Sequence, residues 1–253
     1  MCARMTEFNV QHILLFTLPL WQISLNLLDR SDRIAVLTGE AMDEEEFMRE
    51  AQRRKNSIAL HIVRANKLSL GTMFEQWSML KELLPIMERE KDVIDVHFSQ
   101  PFMLLALGTA HLCLYIATGR TYYHRRAKRV IRRFQKWSNW GVPNAETFLM
   151  ILRAQVVGMT ESYEAAKKAF IEAIERCSLT EGFFQICQIA KKLAGDCMLR
   201  YGKINDAQDF LSDFRDHCIQ WENIAMVNFL ERKYSHILAA ARCCSEDTDY
   251  RNM

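Results

Sequence analysis

The chain contains few of the residues that form turns. Only 4 Pro and 9 Gly occur in 253 residues, whereas an all-β chain needs turn residues between short strands at regular intervals. A hydrophobic share of 49% and a charged share of 25% are ordinary for a packed protein and exclude disorder as the default. The composition predicts a nearly all-helical fold, with a helix content above about two thirds.

The chain also lacks a strong net charge. The formal value is +2 at pH 7, so the whole molecule carries no field that would recruit nucleic acid or an anionic membrane. Any attraction to such a partner must come from a local patch.

Motifs for metal or disulfide chemistry are missing as well. The eight cysteines include no C-x-x-C pair, and the histidines show no H-E-x-x-H spacing. We interpret the cysteines as small buried hydrophobes of a protein in a reducing compartment, the cytoplasm. The acidic run at residues 40–47 is interpreted as the start of a helix capped by Asp43. The sequence therefore predicts no metal and no cofactor.

Two apolar stretches are poor membrane segments. Residues 13–28 are interrupted by Pro19, Gln22 and Asn26, and residues 102–118 are short, with His111 near their centre. A spanning helix needs about 20 mainly apolar residues. Both stretches are predicted to be core helices, and a membrane partner is disfavoured.

Small residues recur in the second half of the chain with a period of about 40. Ala154, Ala166 and Phe170 are followed 41 positions later by Gly195, Ala207 and Leu211. Ala127 and Ile131 repeat the second part of this pattern 39 positions before Ala166 and Phe170. A glycine inside a helix costs about 1 kcal/mol relative to alanine, so Gly195 predicts a close approach of two helices.

This spacing resembles the tetratricopeptide (TPR) pattern of paired helices. The resemblance implies that the small residues let the two helices of one repeat touch, while Phe170 and Leu211 fill the groove to the next repeat. Gly202 is interpreted as the left-handed residue that ends a helix. The predicted fold is all-α, a right-handed TPR-like solenoid of antiparallel helix pairs with a period of about 40 residues.

Periodicity and capping residues predict ten helices. They are expected at residues 8–29, 43–70, 74–90, 100–118, 122–139, 145–157, 162–177, 183–200, 205–220 and 224–241. Residues 1–118 are predicted to be divergent helical repeats and residues 119–242 TPR-like repeats continuous with them. Residues 243–253 are predicted to be a disordered polar tail.

A family resemblance extends over roughly residues 20–240. Its motifs are A-x-x-x-F-x-x-A-I-E, E-G-F, L-A-G-D, Y-G, A-x-x-F-L, W-E-N and L-E-x-x-Y within residues 163–238, and LTGEAMDEEEF at residues 37–47. In this order they resemble the TPR-like region of large predicted-ATPase signalling proteins. Those proteins join a serine/threonine kinase-like domain, an AAA-type ATPase domain, helical repeats, and GAF with histidine kinase or nucleotide cyclase domains. The resemblance implies either a fragment of such a protein or a free-standing relative.

The catalytic motifs of those longer proteins are missing. The sequence contains no G-x-x-x-x-G-K-[ST] phosphate loop, no Gly-rich kinase loop, no H-R-D and no D-F-G. An enzyme in an all-α fold therefore has no positive feature here. The sequence predicts a non-catalytic interaction or scaffold module whose partner is a protein, a peptide or a neighbouring domain of a longer chain.

Residues 120–137 are strongly basic. They contain eight Lys or Arg, no acid, and interleaved aromatic residues. The patch is formed by Arg125, Arg126, Arg129, Arg132 and Arg133. Since apolar residues recur through the segment at helical spacing, we favour the solvated face of a repeat helix. An acidic protein partner and a nucleic-acid or lipid partner remain open, and a nucleic-acid-binding helical repeat is the alternative function.

Candidate partner-binding residues follow from the TPR-like arrangement. The first helices of the pairs would line a concave surface, and residues outside their apolar stripe would face a bound peptide. The candidates are Gln155, Lys192, Asp196 and Arg200. We expect all four to be exposed.

Overall fold

The protein is almost entirely helical. The computed structural model describes residues 11–31, 33–89, 100–179 and 184–238, of which 82% are helical and none lies in a strand. The prediction of an all-α fold is confirmed. The predicted tail at 243–253 and the E-G-F motif at 181–183 lie outside the described residues.

Eleven helices are named in these four ranges, and the short stretch 235–238 is helical as well. They are α1 (Gln11–Leu27), α2 (Glu44–Arg53), α3 (Ser57–Met73), α4 (Trp77–Arg89), α5 (Gln100–Thr118), α6 (Thr121–Asn139), α7 (Ala145–Thr160), α8 (Tyr163–Ser178), α9 (Phe184–Arg200), α10 (Ile204–Gln220) and α11 (Ile224–Lys233). Most bounds lie within three residues of the predicted ones, because capping residues and loop glycines mark the ends.

Two predictions of a single continuous helix are wrong, because the structure interrupts each of these helices. The helix expected over residues 43–70 is divided into α2 and α3 at Lys55, whose φ of 53° is left-handed. Asn56 then caps α3 by accepting a hydrogen bond from the Ala59 amide at 3.0 Å. The helix expected over residues 224–241 is interrupted at Tyr234, directly after α11. Neither break carries a glycine or a proline that would have indicated it.

The chain divides into two compact units, residues 1–110 and residues 111–253. The division falls inside α5, before the boundary predicted after residue 118. In the first unit, α3 packs against α1, α2 and α4.

Buried amides organise the segment between α1 and α2. Asn26 donates from Nδ2 to the carbonyl oxygens of Ile34 at 2.9 Å and Val36 at 2.8 Å. Gln22 accepts from the Ala41 amide at 2.9 Å and donates to Asn26 at 2.9 Å. The polar residues that interrupt the apolar pattern of α1 thus bond to a loop that follows it.

In the second unit, consecutive helices pack against one another. Contacts join α6 to α7, α7 to α8, α8 to α9, α9 to α10 and α10 to α11, and α7 also packs against α9. The helices α8 and α10 are amphipathic, whereas most described side chains of α7 and α9 are buried or half-buried. We call α7 and α9 the inner helices and α6, α8 and α10 the outer helices.

The two outer helices α8 and α10 bury equivalent residues. The buried residues of α8 are Ala166, Phe170, Ala173 and Cys177, and those of α10 are Ala207, Leu211, Phe214 and Cys218. Each member of the second set follows its counterpart by 41 positions. The register read from the sequence therefore coincides with the buried faces of α8 and α10.

Several helices end in the same left-handed turn. Gly202, as predicted, has a positive φ of 71°; its amide bonds the Leu199 carbonyl at 2.9 Å, and the Lys203 amide bonds that of Met198 at 3.0 Å. Glu222 has a φ of 54° in an equivalent turn after α10. This Schellman arrangement satisfies the last carbonyls of a helix and reverses the chain within two or three residues.

One helix in the described part of the chain, α5, is long and apolar enough to cross a membrane. Its mean hydropathy reaches 1.6, and 56% of the apolar window is buried inside the protein. A core helix of a soluble protein has the same length and composition, so this is weak support for a membrane segment.

Candidate partner-binding sites

The predicted packing residues lie mainly in the core of the second unit. Seven are buried: Ala127, Ala154, Ala166, Phe170, Gly195, Ala207 and Leu211. The eighth, Ile131, is half-buried on the flank of the α6 stripe. Gly195 of α9 packs directly against Leu211 of α10, which is the helix contact that the glycine indicated.

The four predicted partner-binding residues do not form one exposed face. Arg200 is exposed, Asp196 retains 21% exposure of its side chain, and Gln155 and Lys192 are buried. The expected exposure is therefore wrong for Gln155 and Lys192. They are polar residues of inner helices, and neighbouring elements cover the surface that was predicted to face solvent.

Asp196 is instead the centre of an ion cluster that joins α9 to the end of α11. Its Oδ2 lies 2.9 Å from Lys192 Nζ, and its Oδ1 accepts hydrogen bonds from the Tyr234 hydroxyl and from Lys233 Nζ, the latter at 3.4 Å. Both lysine nitrogens also lie 5.9 Å from the centre of the Phe229 ring.

The cluster keeps Asp196 ionised. Burial by itself would raise the pKa of this carboxyl, but the charges of Lys192 and Lys233 and the hydrogen bonds from Tyr234 and Lys192 outweigh it and lower the pKa. The carboxylate is thus held by three groups of its own chain. Among the four predicted residues, Arg200 at the end of α9 is the one that presents its side chain to solvent.

A second polar cluster joins the outer helices α8 and α10. Asp206 accepts hydrogen bonds from the Tyr163 hydroxyl and from Lys167 Nζ, the latter at 3.0 Å. Lys203 Nζ lies 4.7 Å from the centre of the Tyr163 ring. The hydrogen bond from Tyr163 and the contacts with Lys167 lower the pKa of Asp206 against the effect of burial. This cluster could not be predicted from the sequence, because no spacing rule links a tyrosine on one helix to an aspartate on another.

The basic segment forms the outer face of α6. Tyr123, Ala127, Val130 and Phe134 are its buried stripe, as helical spacing predicts. On the opposite side, four exposed cations follow at positions i, i+4, i+7 and i+11, which share one face of a helix. We call this row the basic ridge; it consists of Arg125, Arg129, Arg132 and Lys136.

Two further arginines of the patch lie beside the ridge on aromatic rings. The guanidinium of Arg126 lies 5.0 Å from the centre of the Tyr122 ring, and that of Arg133 lies 5.0 Å from the centre of the Trp137 ring. Both arginines are half-buried. The rings interleaved with the basic residues are thus partly covered by the cations of the same helix.

Four of the five cysteines that the structure describes in the second unit are buried. Burial raises the pKa of the Cys177 thiol to about 12, with a smaller effect of Cys187, and burial raises that of Cys218 to about 12. Burial, and secondarily the charge of Lys128, lowers the pKa of His124. No group of three or more His, Cys, Asp or Glu side chains within the described ranges is arranged to hold a metal ion.

Comparisons with known proteins add no family to this description. The chain matches no protein-family model, no curated protein and no solved structure. Its function is therefore inferred from its own residues.

Proposed function

We propose that the chain is a non-catalytic helical-repeat module that binds other proteins or neighbouring domains of a longer chain. In this proposal the hairpins α7–α8 and α9–α10 are successive TPR-like repeats of a right-handed solenoid. The observation that carries it is the 41-residue shift between the buried stripes of α8 and α10, from Ala166 and Phe170 to Ala207 and Leu211. Two hairpins with the same register have equivalent surfaces to stack.

Contacts between the hairpins support the stacking. The inner helices approach at Gly158, where an added Cβ would lie 2.5 Å from Sγ of Cys197. The outer helices are joined by the ion pair between Lys167 and Asp206. The second hairpin thus packs on the first through α9, which contacts both α7 and α8, and neighbouring repeats of a solenoid contact each other in this way.

The surface offered to partners follows from burial. The inner helices are largely covered, so the exposed faces of α6, α8 and α10, together with Arg200, are the available surface of this unit. This module would serve as the helical-repeat region does in the predicted-ATPase signalling proteins that the sequence resembles. Repeat arrays supply extended binding surfaces without chemistry of their own.

Nucleic acid is the weaker alternative. Binding of single strands relies on aromatic rings on which bases stack, whereas Arg126 and Arg133 lie over the rings of Tyr122 and Trp137. The net charge of +2 adds no general attraction to phosphates. Five free cysteines within the described ranges, four of them buried, support the proposed cytoplasmic location, where thiols stay reduced.

A pull-down from cell lysate, which compares folded and unfolded variants of the chain, tests the proposal. The full chain is immobilised and exposed to lysate, in parallel with Gly195→Leu, which places a large side chain against Leu211 and is expected to unfold the α9–α10 hairpin. Lys168→Leu, at a side chain that is 78% exposed, is the folded control. Circular dichroism establishes the state of each variant.

We expect the wild type and Lys168→Leu to retain the same specific proteins and Gly195→Leu to lose them. Retention by the unfolded variant would show that a linear segment binds. Failure of the folded wild type to retain any protein above background would overturn the proposed function.

A further inference from the structure

We infer that the basic ridge of α6 is a docking site for an acidic α-helix of a partner protein. The inference rests on the proposed function, since it assigns the chemistry of one partner to one surface of the module. Its four cations are Arg125, Arg129, Arg132 and Lys136.

The ridge is straight and faces away from the core. Its members are spaced by four, three and four residues, opposite the stripe that contains Ala127 and Phe134. At a rise of 1.5 Å per residue, the row is about 16 Å long. All four side chains are exposed, so a rod-shaped ligand can approach them together.

The charges of the ridge are not neutralised by ion pairs with other described residues. By contrast, several other exposed cations lie beside carboxylates, as in the pairs Arg49–Glu45 at 3.3 Å and Arg176–Glu146 at 2.9 Å. No acidic side chain in the described part of the chain forms an ion pair with a member of the ridge. Residues 120–137 contain no acid that could do so locally.

Like charges spaced three or four residues apart on a helix repel each other. Arg125 and Arg129, Arg129 and Arg132, and Arg132 and Lys136 are such neighbours. A ligand that supplies carboxylates at these positions removes the repulsion as well as forming new ion pairs. The unbound ridge therefore favours an acidic partner over a neutral one.

The spacing favours a helix over an extended peptide. Cations at rises of about 0, 6, 10.5 and 16.5 Å are matched by acids at i, i+4, i+7 and i+11 of another helix. Same-face side chains of a strand recur every two residues, or about 6.7 Å, and drift about 3.5 Å out of register at the fourth contact. A single row on a convex helix also offers no groove to enclose a nucleic-acid strand, which such binding uses.

Four synthetic or natural probes separate the possible ligands. The first is an alanine-rich helical peptide of about 18 residues with Glu at i, i+4, i+7 and i+11, and the second has the same composition with the Glu residues spread around the helix. The others are a DNA duplex with its separated strands, and vesicles of phosphatidylcholine with phosphatidylserine. Binding to the full chain is measured at an ionic strength of about 0.15 M.

Charge-reversed variants locate the binding. Arg129→Glu with Arg132→Glu inverts the middle of the ridge and creates new ion pairs within α6, so the helix is retained. Lys168→Glu with Arg232→Glu changes the net charge by the same amount on α8 and α11. Both pairs of side chains are exposed.

We expect the aligned peptide to bind about tenfold more tightly than the spread peptide and the ridge variant to lose this preference, whereas the control variant keeps it. Equal binding of the two peptides, or equal effects of the two variants, would overturn the inference. Tighter binding of DNA or vesicles than of the aligned peptide, abolished by the ridge variant, would overturn it too and assign the ridge to that ligand.

The outcome is distinguishable from a failure of the proposed function. If the ridge binds no acidic helix while folded chains still retain specific proteins, the module binds through another surface. If the aligned peptide binds but no protein is retained in a fold-dependent way, the proposed function fails although the ridge has the inferred chemistry.

Discussion

The Cγ atom of Leu211 lies 2.6 Å from the position that a Cβ atom on Gly195 would occupy. The helices α9 and α10 touch at this point, and no side chain fits between them. Gly195→Ala should therefore lower the free energy of unfolding by about 1 to 3 kcal/mol through overpacking, although alanine is the better helix former by about 1 kcal/mol. Chemical denaturation of the full chain measures the change.

A double-mutant cycle assigns the cost to this contact. Leu211→Ala creates a cavity by itself, but it also makes room for the methyl group of Gly195→Ala. The two changes together should cost less than the sum of the single changes. A neutral or stabilising effect of Gly195→Ala alone would contradict the close approach.

The buried alanines of α8 and α10 should also not tolerate a larger side chain. Ala166 and Ala207 are fully buried at equivalent positions of α8 and α10, so Ala166→Leu and Ala207→Leu should each destabilise by about 1 to 3 kcal/mol. Lys168→Leu, on the exposed face of α8, should be nearly neutral. If Ala207→Leu lowers the stability no more than Lys168→Leu does, the 41-residue repeat does not mark the buried positions of these helices.

These contacts could be predicted because the small residues that form them recur at a fixed interval in the sequence. Ala166, Ala207 and Gly195 are small where a helical pattern favours larger residues, and the same interval repeats. Gly158, which approaches Cys197 in a similar way, is followed 41 positions later by Leu199, so the 41-residue repeat does not indicate this contact. Lys55 was missed because a lysine in a left-handed turn has no residue signature, whereas Gly202 has one.

The polar sites were harder to predict than the core. Gln155 and Lys192 are polar residues of mainly apolar helices, and polarity alone suggested exposure. Their burial depends on which tertiary partners surround them, and Asp196, Lys233 and Tyr234 come together around Lys192 only in the folded chain. Helical periodicity gives the direction of a side chain but not what lies in front of it.

Asp196→Asn should destabilise the second unit substantially. The Lys192 side chain is 4% exposed, and loss of the carboxylate removes the ion-pair partner that lies 2.9 Å from this buried ammonium group. Breaking a buried pair from one side costs about 3 kcal/mol. Asp196→Asn combined with Lys192→Met removes both charges and should recover part of this loss; no recovery would argue against a buried pair.

The pH dependence of this effect has a defined sign. The folded pKa of Asp196 lies below its usual value of 3.8, so its contribution to stability is complete above that value and is lost as the pH falls through the lowered folded pKa. The difference in unfolding free energy between wild type and Asp196→Asn should be constant near neutral pH and shrink in acid. A difference that grows in acid would contradict the assignment.

Glycine should be the favoured residue in both left-handed turns. Glu222→Gly removes the steric cost of a φ of 54° and should stabilise the chain by about 0.5 to 1 kcal/mol, whereas Glu222→Ala keeps that cost. Gly202→Ala meets no neighbouring atom but keeps a φ of 71°, so it should cost about 1 kcal/mol. Thermal unfolding of the three variants compares them; no gain from Glu222→Gly would exclude the left-handed turn.

The central claim is that the folded hairpins, rather than any linear segment, bind partner proteins. Its most direct test is the equilibrium dissociation constant of a captured partner, measured by titration calorimetry against wild type, Lys168→Leu and Gly195→Leu. We predict constants equal within about twofold for the first two and binding at least about tenfold weaker for Gly195→Leu. Equal constants for all three chains would contradict the claim.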